Sequence, residues 1–415
     1  MKKITVFFWD GWLDVSPTLL SILTFCKLKD YEVDFVLRDN YTFESKSIEF
    51  FQNDRIKFFK IRTSNKFSIF FNFLIKKIEK KINKTKKKII INIFYQIIFQ
   101  LKYLSTLIEL MVFRKETNKL SLKSNDIGIF IDSYSLFTCR KLLNKFKTKY
   151  YLSLEILNKS EFKYDWLNHF IKKKESIILN NYIDLVIIQD YIRFAQLMNS
   201  IYKTKNIKSF YLPNSVFKDE INIQSDFFRE KFNIPKEQKL ILAAGMISDF
   251  VSSYDIAKIM GQQTLVSNIT TIFHNRIKDD YEQFYLNKIL AVSPKNFFFS
   301  LDPVPFNQLY KIYNSIDIGL VIYNSSIKDL NYTEIGSASG KLFQFAKYGI
   351  PVIASNLKGM TELVKNHNLG VIVNSVDEIP DAILEINEKY EFYSNSALLA
   401  FEKHFCMELY LDKIL

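Results

Sequence analysis

The sequence predicts an α/β protein with two Rossmann-like domains facing each other across a cleft. Its 415 residues exceed what one hydrophobic core normally organises. Short apolar runs alternate with helical stretches in two successive series, which is typical of parallel sheets covered by helices. The composition, 48% hydrophobic and 24% charged residues, is that of a globular protein.

The first series contains seven predicted strands and a helix over residues 19–25. The strands are residues 4–9, 32–37, 56–61, 127–131, 150–154, 185–188 and 210–212. Several end at polar residues, among them Asp10, Asp132 and Glu155. Because ligands bind at the carboxyl ends of parallel strands, we expect these ends to line a cleft.

The second series contains six predicted strands and ends in a helical tail after Ile383. The strands are residues 239–244, 271–274, 297–300, 317–322, 351–354 and 371–373. Outside a lysine-rich segment, the sequence shows no internal repeat and no low-complexity tract. The two series therefore predict one sheet in each domain.

Residues 66–115 form a basic insertion, with twelve Lys or Arg against two Glu, a surplus of 12 − 2 = +10 within a net charge of +13. Its lysines stand beside many Phe and Ile residues, which suits a helix lying on an anionic membrane. The longest uncharged run, residues 89–101, is shorter than the ~20 residues that span a bilayer. A lysine-rich, solvated helix pair covering the sheet is the structural alternative. No nucleic-acid-binding pattern is present, so nucleic acid is not expected as a partner.

The three cysteines, Cys26, Cys139 and Cys406, lie far apart and without metal-ligand spacing. This favours structural thiols in a reduced cytoplasmic setting. The N-terminal apolar run is broken at Asp10, which favours a first strand over a signal peptide.

Residues 334–359 contain the clearest local signal in the sequence, a short capped helix followed by a strand. Ser339 can cap a short helix, Gly340 allows close approach to the backbone, and Lys341 lies in the first turn. Gly349 predicts a left-handed helix end, and a short buried strand follows Pro351. A helix start with a small residue and a lysine is a ready anion site; the alternative is an ordinary capped helix followed by a strand.

The run SGKLFQFAKYGIPVIASNLKGMTELV resembles the donor-site segment of GT-B glycosyltransferases, specifically glycosyltransferase family 4. The match is dense here and moderate over the C-terminal half. The segment LPNSV, at residues 212–216, resembles the turn that joins the two domains in that family. The resemblance implies an acceptor-binding domain at 1–215 that contains the 66–115 insertion, a nucleotide-sugar-binding domain at 216–385, and a tail at 386–415 returning to the first domain.

A transferase of this kind must stabilise the charge that develops on the leaving diphosphate with dipoles and cations already in place. Where the family often has an arginine and a lysine after Gly245, this chain has Met246 to Asp249. Gln344 stands at the position of the family's second glutamate, and Glu334 precedes it by ten residues instead of eight. The predicted donor-binding residues are Gly245, His274, Arg276, Tyr323, Ser339, Gly340, Lys341 and Gln344, with Arg276 and Lys341 as the cationic clamp.

The predicted acceptor side lies at the strand ends of the first domain. Gly11 and Trp12 are expected to bind the acceptor, and Asp10 and Glu155 are candidate catalytic carboxylates. Glu334 is the third catalytic candidate. Capping a helix is the alternative role for Glu155.

These observations predict a metal-independent glycosyltransferase without a cofactor, acting in polysaccharide or glycolipid biosynthesis. The resemblance implies a retaining outcome. The expected partners are a nucleotide-sugar, a lipid-linked or glycan acceptor, and the inner face of the cell membrane. Two alternatives stay open: a sugar-nucleotide epimerase or hydrolase on the same scaffold, and a non-catalytic membrane- or partner-binding protein.

Overall fold

A computed structural model describes residues 2–39, 46–82, 88–122, 125–159, 165–202, 206–218, 225–262, 268–275, 280–292 and 297–415. The strands are β1 Lys3–Phe8, β2 Glu32–Arg38, β3 Ile56–Ile61, β4 Asn125–Ile131, β5 Phe146–Leu152, β6 Leu185–Ile188, β7 Ser209–Tyr211, β8 Lys239–Ala244, β9 Ile269–His274, β10 Phe297–Ser300, β11 Ile318–Val321, β12 Val352–Ser355 and β13 Gly370–Val373. The helices are α1 Pro17–Leu28, α2 Lys46–Phe51, α3 Lys66–Ile82, α4 Lys88–Lys119, α5 Asp132–Cys139, α6 Trp166–Tyr182, α7 Tyr191–Ser200, α8 Phe227–Phe232, α9 Ser253–Gln262, α10 Asp280–Leu290, α11 Tyr310–Tyr313, α12 Leu330–Thr333, α13 Gly340–Lys347, α14 Lys358–His367, α15 Ile379–Glu388, α16 Tyr390–Ala400 and α17 Glu408–Ile414.

The strands form two sheets, one of seven strands in the order β3-β2-β1-β4-β5-β6-β7 and one of six in the order β10-β9-β8-β11-β12-β13. All strands predicted from the sequence are present. The largest difference is at β5, which begins at Phe146 and not at Tyr150. Its first half carries Lys147 and Lys149, so the apolar run that marks the strand starts late.

Contacts divide the chain into two compact units. The first unit comprises residues 1–12, 26–188 and 194–210, and the second comprises 13–25, 189–193 and 211–415. The sequence predicted a single change of domain near Ser215, whereas two earlier segments also belong to the second unit.

The tail at 386–415 is grouped with the second unit, and its expected return to the first domain stays a prediction. Phe405 packs edge-on against Phe343, with ring centres 5.1 Å apart, and Met407 N donates to Val216 O at 3.0 Å. These aromatic and backbone contacts fasten the tail within the second unit.

Two glycines allow aromatic rings to pack flat against the sheets. A Cβ on Gly128 of β4 would lie 2.6 Å from the ring of Phe146. A Cβ on Gly319 of β11 would lie 2.6 Å from the ring of Phe345. The second contact brings α13 close to its sheet and fixes the position of the helix start at Gly340.

Helices α3 and α4 form the basic insertion. They pack on each other through a small cluster centred on Ile75, Ile82 and Ile98, and the C-terminal half of α4 reaches the core of the first unit at Leu110 and Phe113. We call this pair of helices, α3 and α4, the hairpin. Large apolar side chains on the hairpin are nevertheless exposed: Phe67, Ile69, Phe70, Phe73, Ile90, Ile93, Tyr95, Ile97, Phe99, Leu104 and Met111.

Lys76, Lys77, Lys80 and Lys81 in the C-terminal half of α3 are exposed as well. Lys84, Lys86 and Lys87 lie outside the described residues. In contrast to the thirteen-residue run noted in the sequence, residues 90–119 form one helix that is long and apolar enough, by length and composition alone, to cross a membrane. All three cysteines are free and buried.

Candidate active site

The carboxyl edge of the second sheet gathers polar residues from several strands. The ends of β8, β9, β11, β12 and β13 carry, at or within two residues of the last strand residue, Gly245, His274, Tyr323, Ser355 and Asn374. Because the registered strand pairs of this sheet are parallel, these residues share one edge, where ligands of Rossmann-like sheets bind.

A pocket of about 190 Å³ opens at this edge and is lined mainly by polar groups, among them Ser252, Tyr323, Asn324, Ser355, Asn374 and Ser375. Ser355 Oγ accepts from Tyr323 N at 2.9 Å and donates to Tyr323 O at 3.0 Å. These bonds connect the ends of β11 and β12. Of this set, the sequence pointed to Tyr323 and Asn324 as residues that could line the sugar pocket, but not to Ser355 and Asn374, which also stand at strand ends.

Tyr323 connects the pocket to the start of α13. Its hydroxyl is hydrogen-bonded to Ser339 Oγ at 2.9 Å, and Lys341 Nζ lies 4.5 Å from the centre of its ring. Both Tyr323 and Ser339 are buried, at 8% and 1% exposure. The structure thus brings Tyr323, Ser339 and Lys341 together, and their role in donor binding stays a prediction.

Ser339 occupies the N-cap position of α13, but its side chain forms no capping hydrogen bond. The sequence analysis expected that cap. The Ser339 hydroxyl is hydrogen-bonded to Tyr323 instead. It therefore does not accept a hydrogen bond from the N–H groups of the first turn. An anion can be held by such first-turn N–H groups.

Asn214 holds the segment before α13 in place. Its backbone N–H donates to Ser337 O at 2.8 Å, and its Nδ2 donates to Ala338 O at 2.9 Å. Its Oδ1 accepts from Thr18 N at 3.1 Å and Thr18 Oγ1 at 2.7 Å. The sequence analysis noted Asn214 only as part of a linker turn, because its partners are distant in sequence.

Gly340 is closely packed in the structure. A Cβ there would lie 3.0 Å from Pro17 Cγ and 3.2 Å from Asn214 Nδ2. The sequence analysis expected this glycine to admit a ligand. The observed contacts instead require it for packing against the start of α1.

The other predicted donor residues occupy different environments. Gly245 has a φ of +109° and open space around its Cα, but its N–H donates to His274 O at 2.9 Å, so this amide is already paired. The ring of His274 is buried, with Nδ1 3.0 Å from Ser300 Oγ. Gln344 is 3% exposed, and Arg276 lies outside the described residues.

Glu334 lies just after α12 and is half-buried. Burial raises its pKa, while the charges of Arg193 and Lys358 act in the opposite direction. Asp190, whose carboxylate accepts from Ser337 N at 3.1 Å, raises the pKa of Glu334 further. The environment of Glu334 thus includes two cations and the turn that leads to α13.

The carboxyl edge of the first sheet carries the predicted acceptor-side residues. Asp10 follows β1, Asp132 follows β4 and Glu155 comes three residues after β5. Gly11 has a φ of +73°, a conformation that glycine adopts without strain, and it turns the chain after β1. Gly11 and Trp12 are both half-buried.

Asp132 is the residue that the sequence analysis left out of the site, although its strand-end position was visible. It is 7% exposed, and its Oδ1 accepts from the N–H groups of Leu154 at 2.7 Å and Glu155 at 3.0 Å. The side chain of Glu155 is exposed. Asp132 therefore fixes the backbone that presents the Glu155 carboxylate.

Burial dominates the electrostatics of this edge. Burial raises the pKa of Asp10 above its ordinary value, although the positive charge of the nearby Arg38 guanidinium acts in the opposite direction. Burial and then the Asp10 charge raise the pKa of Asp132 well above its usual value, while the N–H groups of Glu155 and Leu154 act against this shift. Arg38 also pairs with Glu109 at 3.2 Å and lies 4.6 Å from the Trp9 ring centre.

No group of three or more His, Cys, Asp or Glu side chains within the described ranges could hold a metal ion. The metal-independent reaction expected from the sequence stays a prediction.

Comparisons with known proteins place the chain beside glycosyltransferases. Residues 288–401 match the family model "Glucosyltransferase 3-like, C-terminal domain", and no curated protein matches the chain. Among solved structures, sucrose-phosphate synthase from Thermosynechococcus elongatus is 12% identical, with a TM-score of 0.63 over 100% of this chain and 97% of that chain.

HepE from Anabaena, solved in complex with UDP-glucose, is 12% identical with a TM-score of 0.64 over 100% and 98% of the two chains. WaaG, a glycosyltransferase involved in lipopolysaccharide biosynthesis, is 11% identical with a TM-score of 0.55 over 100% and 98%. The predicted resemblance to GT-B glycosyltransferases and the predicted two-sheet α/β fold are confirmed.

Proposed function

We propose that this protein is a glycosyltransferase that moves a sugar from a nucleotide-sugar held by the second unit to an acceptor held by the first. The observation that carries the proposal is the arrangement of Lys341 on Tyr323, at a polar pocket on the carboxyl edge of the second sheet. The family-model match and the full-length likeness to GT-B enzymes support the reaction class.

The donor would place its diphosphate at the start of α13. There the Lys341 ammonium and the first-turn N–H groups would meet the negative charge that grows on the leaving group. HepE is solved with UDP-glucose, so a uridine nucleotide-sugar is the first donor to test. The reaction would need no metal, and a retaining outcome follows from the family resemblance.

On the acceptor side, a carboxylate would accept the proton of the attacking hydroxyl or orient that hydroxyl. Glu155 is exposed at the strand edge, whereas burial raises the pKa of Asp10 against the opposing charge of Arg38. We assign the proton-accepting role to Glu155 and an orienting role to Asp10.

The acceptor would be a lipid-linked or membrane-proximal glycan. The exposed apolar side chains of α3 and α4, together with Lys76, Lys77, Lys80 and Lys81, suit the surface of an anionic membrane on the cytoplasmic side. WaaG acts in lipopolysaccharide biosynthesis, which is in keeping with such an acceptor. Leu110 and Phe113 anchor α4 in the core of the first unit, which favours a helix lying on the membrane over one crossing it.

A donor screen tests the reaction class. Nucleotide release is measured for a panel of nucleotide-sugars, starting with UDP-glucose, with and without a lipid extract. Release that depends on the extract supports transfer, whereas equal release without an acceptor indicates a hydrolase. Conversion of the nucleotide-sugar to another nucleotide-sugar, without net release of nucleotide, indicates an epimerase. If calorimetry detects no binding of any nucleotide, the protein is not a transferase.

Liposome flotation tests the membrane claim. Changing Lys76, Lys77, Lys80 and Lys81 to Gln should lower binding to anionic vesicles at least tenfold, because each lysine near such a surface contributes about 1 kcal/mol. Lys57→Gln with Lys60→Gln, on exposed positions of β3, is the control for Lys80→Gln with Lys81→Gln, which removes the same charge from α3. Association through the hairpin would be disproved if vesicle binding were the same with and without anionic lipid and the same in the four-lysine variant as in the wild type.

A further inference from the structure

A second groove lies in the first unit, between the 3-10 segment Arg140–Lys145 and the C-terminal half of α6. It has a volume of about 490 Å³ and is lined by Arg140, Lys141, Leu143, Lys174, Ile177 and Tyr182, among others. Lys145 directly precedes β5, and Tyr182 precedes β6. The groove is therefore at the amino-terminal edge of the sheet, opposite the edge that carries Asp10 and Glu155.

The lining of this groove contains three cations and no carboxylate. In the part of the chain that the structure describes, Arg140, Lys141 and Lys174 form no ion pair. Arg114 of α4 adds a further positive charge, and burial together with that charge lowers the pKa of Arg140. Cations gathered without a counter-charge repel one another, and a bound anion would relieve that repulsion.

Two of the cations are held in place by neighbouring groups. Arg140 Nη1 donates to Phe137 O at 2.6 Å, and its guanidinium lies 4.5 Å from the Phe137 ring centre. Lys174 Nζ lies 5.5 Å from the Phe170 ring centre. A phosphate could use the other guanidinium N–H groups, because one side of Arg140 is fixed and five donors are present.

Part of the groove lining is apolar. Leu143 is buried in its floor, and Ile177 and Tyr182 are 46% and 50% exposed at its rim. Along α6, Trp166 and Phe170 extend the exposed apolar surface from the same helix. A small inorganic anion would leave these side chains in water, whereas an amphipathic anion would cover them.

We propose that this groove binds the phosphate head group of an anionic phospholipid, with the glycerol and the first part of the acyl chains on Ile177 and Tyr182. The site would orient the first unit on the membrane. It does not depend on sugar transfer, and it is separate from the exposed face of α3 and α4.

The test uses the full-length protein and dihexanoyl phosphatidylglycerol, a short-chain lipid that is studied below its micelle concentration. Calorimetry should show one saturable site, at least tenfold tighter than for inorganic phosphate, and no binding of dihexanoyl phosphatidylcholine. Lys141→Glu with Lys174→Glu should weaken phosphatidylglycerol binding at least tenfold. Lys57→Glu with Lys60→Glu, which changes the net charge equally, should alter it less than twofold.

Several results would overturn the proposal. Equal affinity for inorganic phosphate would mean that the apolar rim contributes nothing, and equal losses in both charge-reversal variants would indicate diffuse attraction. Ile177→Ser leaves every cation in place, adds no charge, and should also weaken binding; unchanged binding in a folded Ile177→Ser protein contradicts the site. Nucleotide binding should be unaffected in all these variants, which separates this test from that of the proposed function.

Discussion

The Lys341 ammonium lies 4.5 Å from the centre of the Tyr323 ring, whose hydroxyl is hydrogen-bonded to Ser339. Tyr323 also lines the pocket at the carboxyl edge of the second sheet. The Tyr323 side chain thus contacts both the Lys341 ammonium and, through Ser339, the start of α13, beside the pocket. An ammonium on an aromatic face keeps its charge while losing freedom, as a preorganised phosphate site requires.

Lys341→Ala should weaken binding of a nucleoside diphosphate by about tenfold or more, since a charge-assisted hydrogen bond contributes about 1.5–3 kcal/mol. Binding of the uncharged nucleoside should change little. Calorimetry with UDP and uridine measures both effects. Lys347→Ala, at the other end of α13, is the control; equal effects on UDP and uridine would remove Lys341 from the phosphate site.

Asn214→Ala should destabilise the protein by about 2–4 kcal/mol, because three side-chain hydrogen bonds are lost and buried groups stay unpaired. Urea denaturation measures this loss. Nucleoside diphosphate binding should weaken as well, since the turn before α13 loses its support. Asn181→Ala removes one bond on an exposed face and should cost far less. A loss of stability with unchanged nucleotide affinity would show that the turn keeps its position without Asn214.

Asp132→Asn should make the protein more stable at neutral pH. A carboxyl group whose pKa burial has raised holds a proton in the folded state at pH values where the unfolded chain has lost it. Its contribution to stability therefore declines as pH rises from about 3.9, the ordinary Asp value, through the folded pKa. The variant removes this decline, so its advantage over the wild type should grow with pH in denaturation curves recorded from pH 4 to 8.

The comparison with Asp132→Ala separates charge from geometry. Asp132 has a φ of +56°, which Asn tolerates better than Ala. Ala also leaves the N–H groups of Leu154 and Glu155 without their acceptor. Asp132→Ala should therefore be destabilising at every pH, and an alanine variant as stable as the asparagine variant would contradict the structural role given to the Asp132 oxygen.

Glu175 and Lys172 form an ion pair of 2.7 Å with both side chains fully buried, and Tyr151 Oη donates to Glu175 Oε1 at 2.6 Å. Glu175→Leu alone should cost about 3–5 kcal/mol, because it leaves an uncompensated buried charge. Combining it with Lys172→Met and Tyr151→Phe should recover most of that loss, because the unpaired ammonium and the unpaired phenol hydroxyl are both removed. Urea denaturation of the two variants gives the comparison; a combined variant no more stable than Glu175→Leu would contradict this account.

The strands were predictable because each is a short apolar run that a polar residue or a glycine ends. The end of α13 was predictable for a similar reason, since Gly349 has a φ of +64°. The role of Ser339 was not, because a serine before a helix predicts a cap and only the fold brings Tyr323 to its hydroxyl. The same holds for His274, whose strand-end position suggested a ligand contact but whose ring is buried against Ser300.

The sequence by itself determined two parallel sheets, the edge at which each would carry its polar residues, and Lys341 as a phosphate-binding candidate. These follow from local periodicity and from chemistry at single positions. Tertiary structure decided that Asn214 supports the turn before α13, that Asp132 holds the Glu155 backbone, and that 13–25 and 189–193 join the second unit. Such contacts join residues far apart in the chain, and their energy depends on burial and distance, which only the folded chain defines.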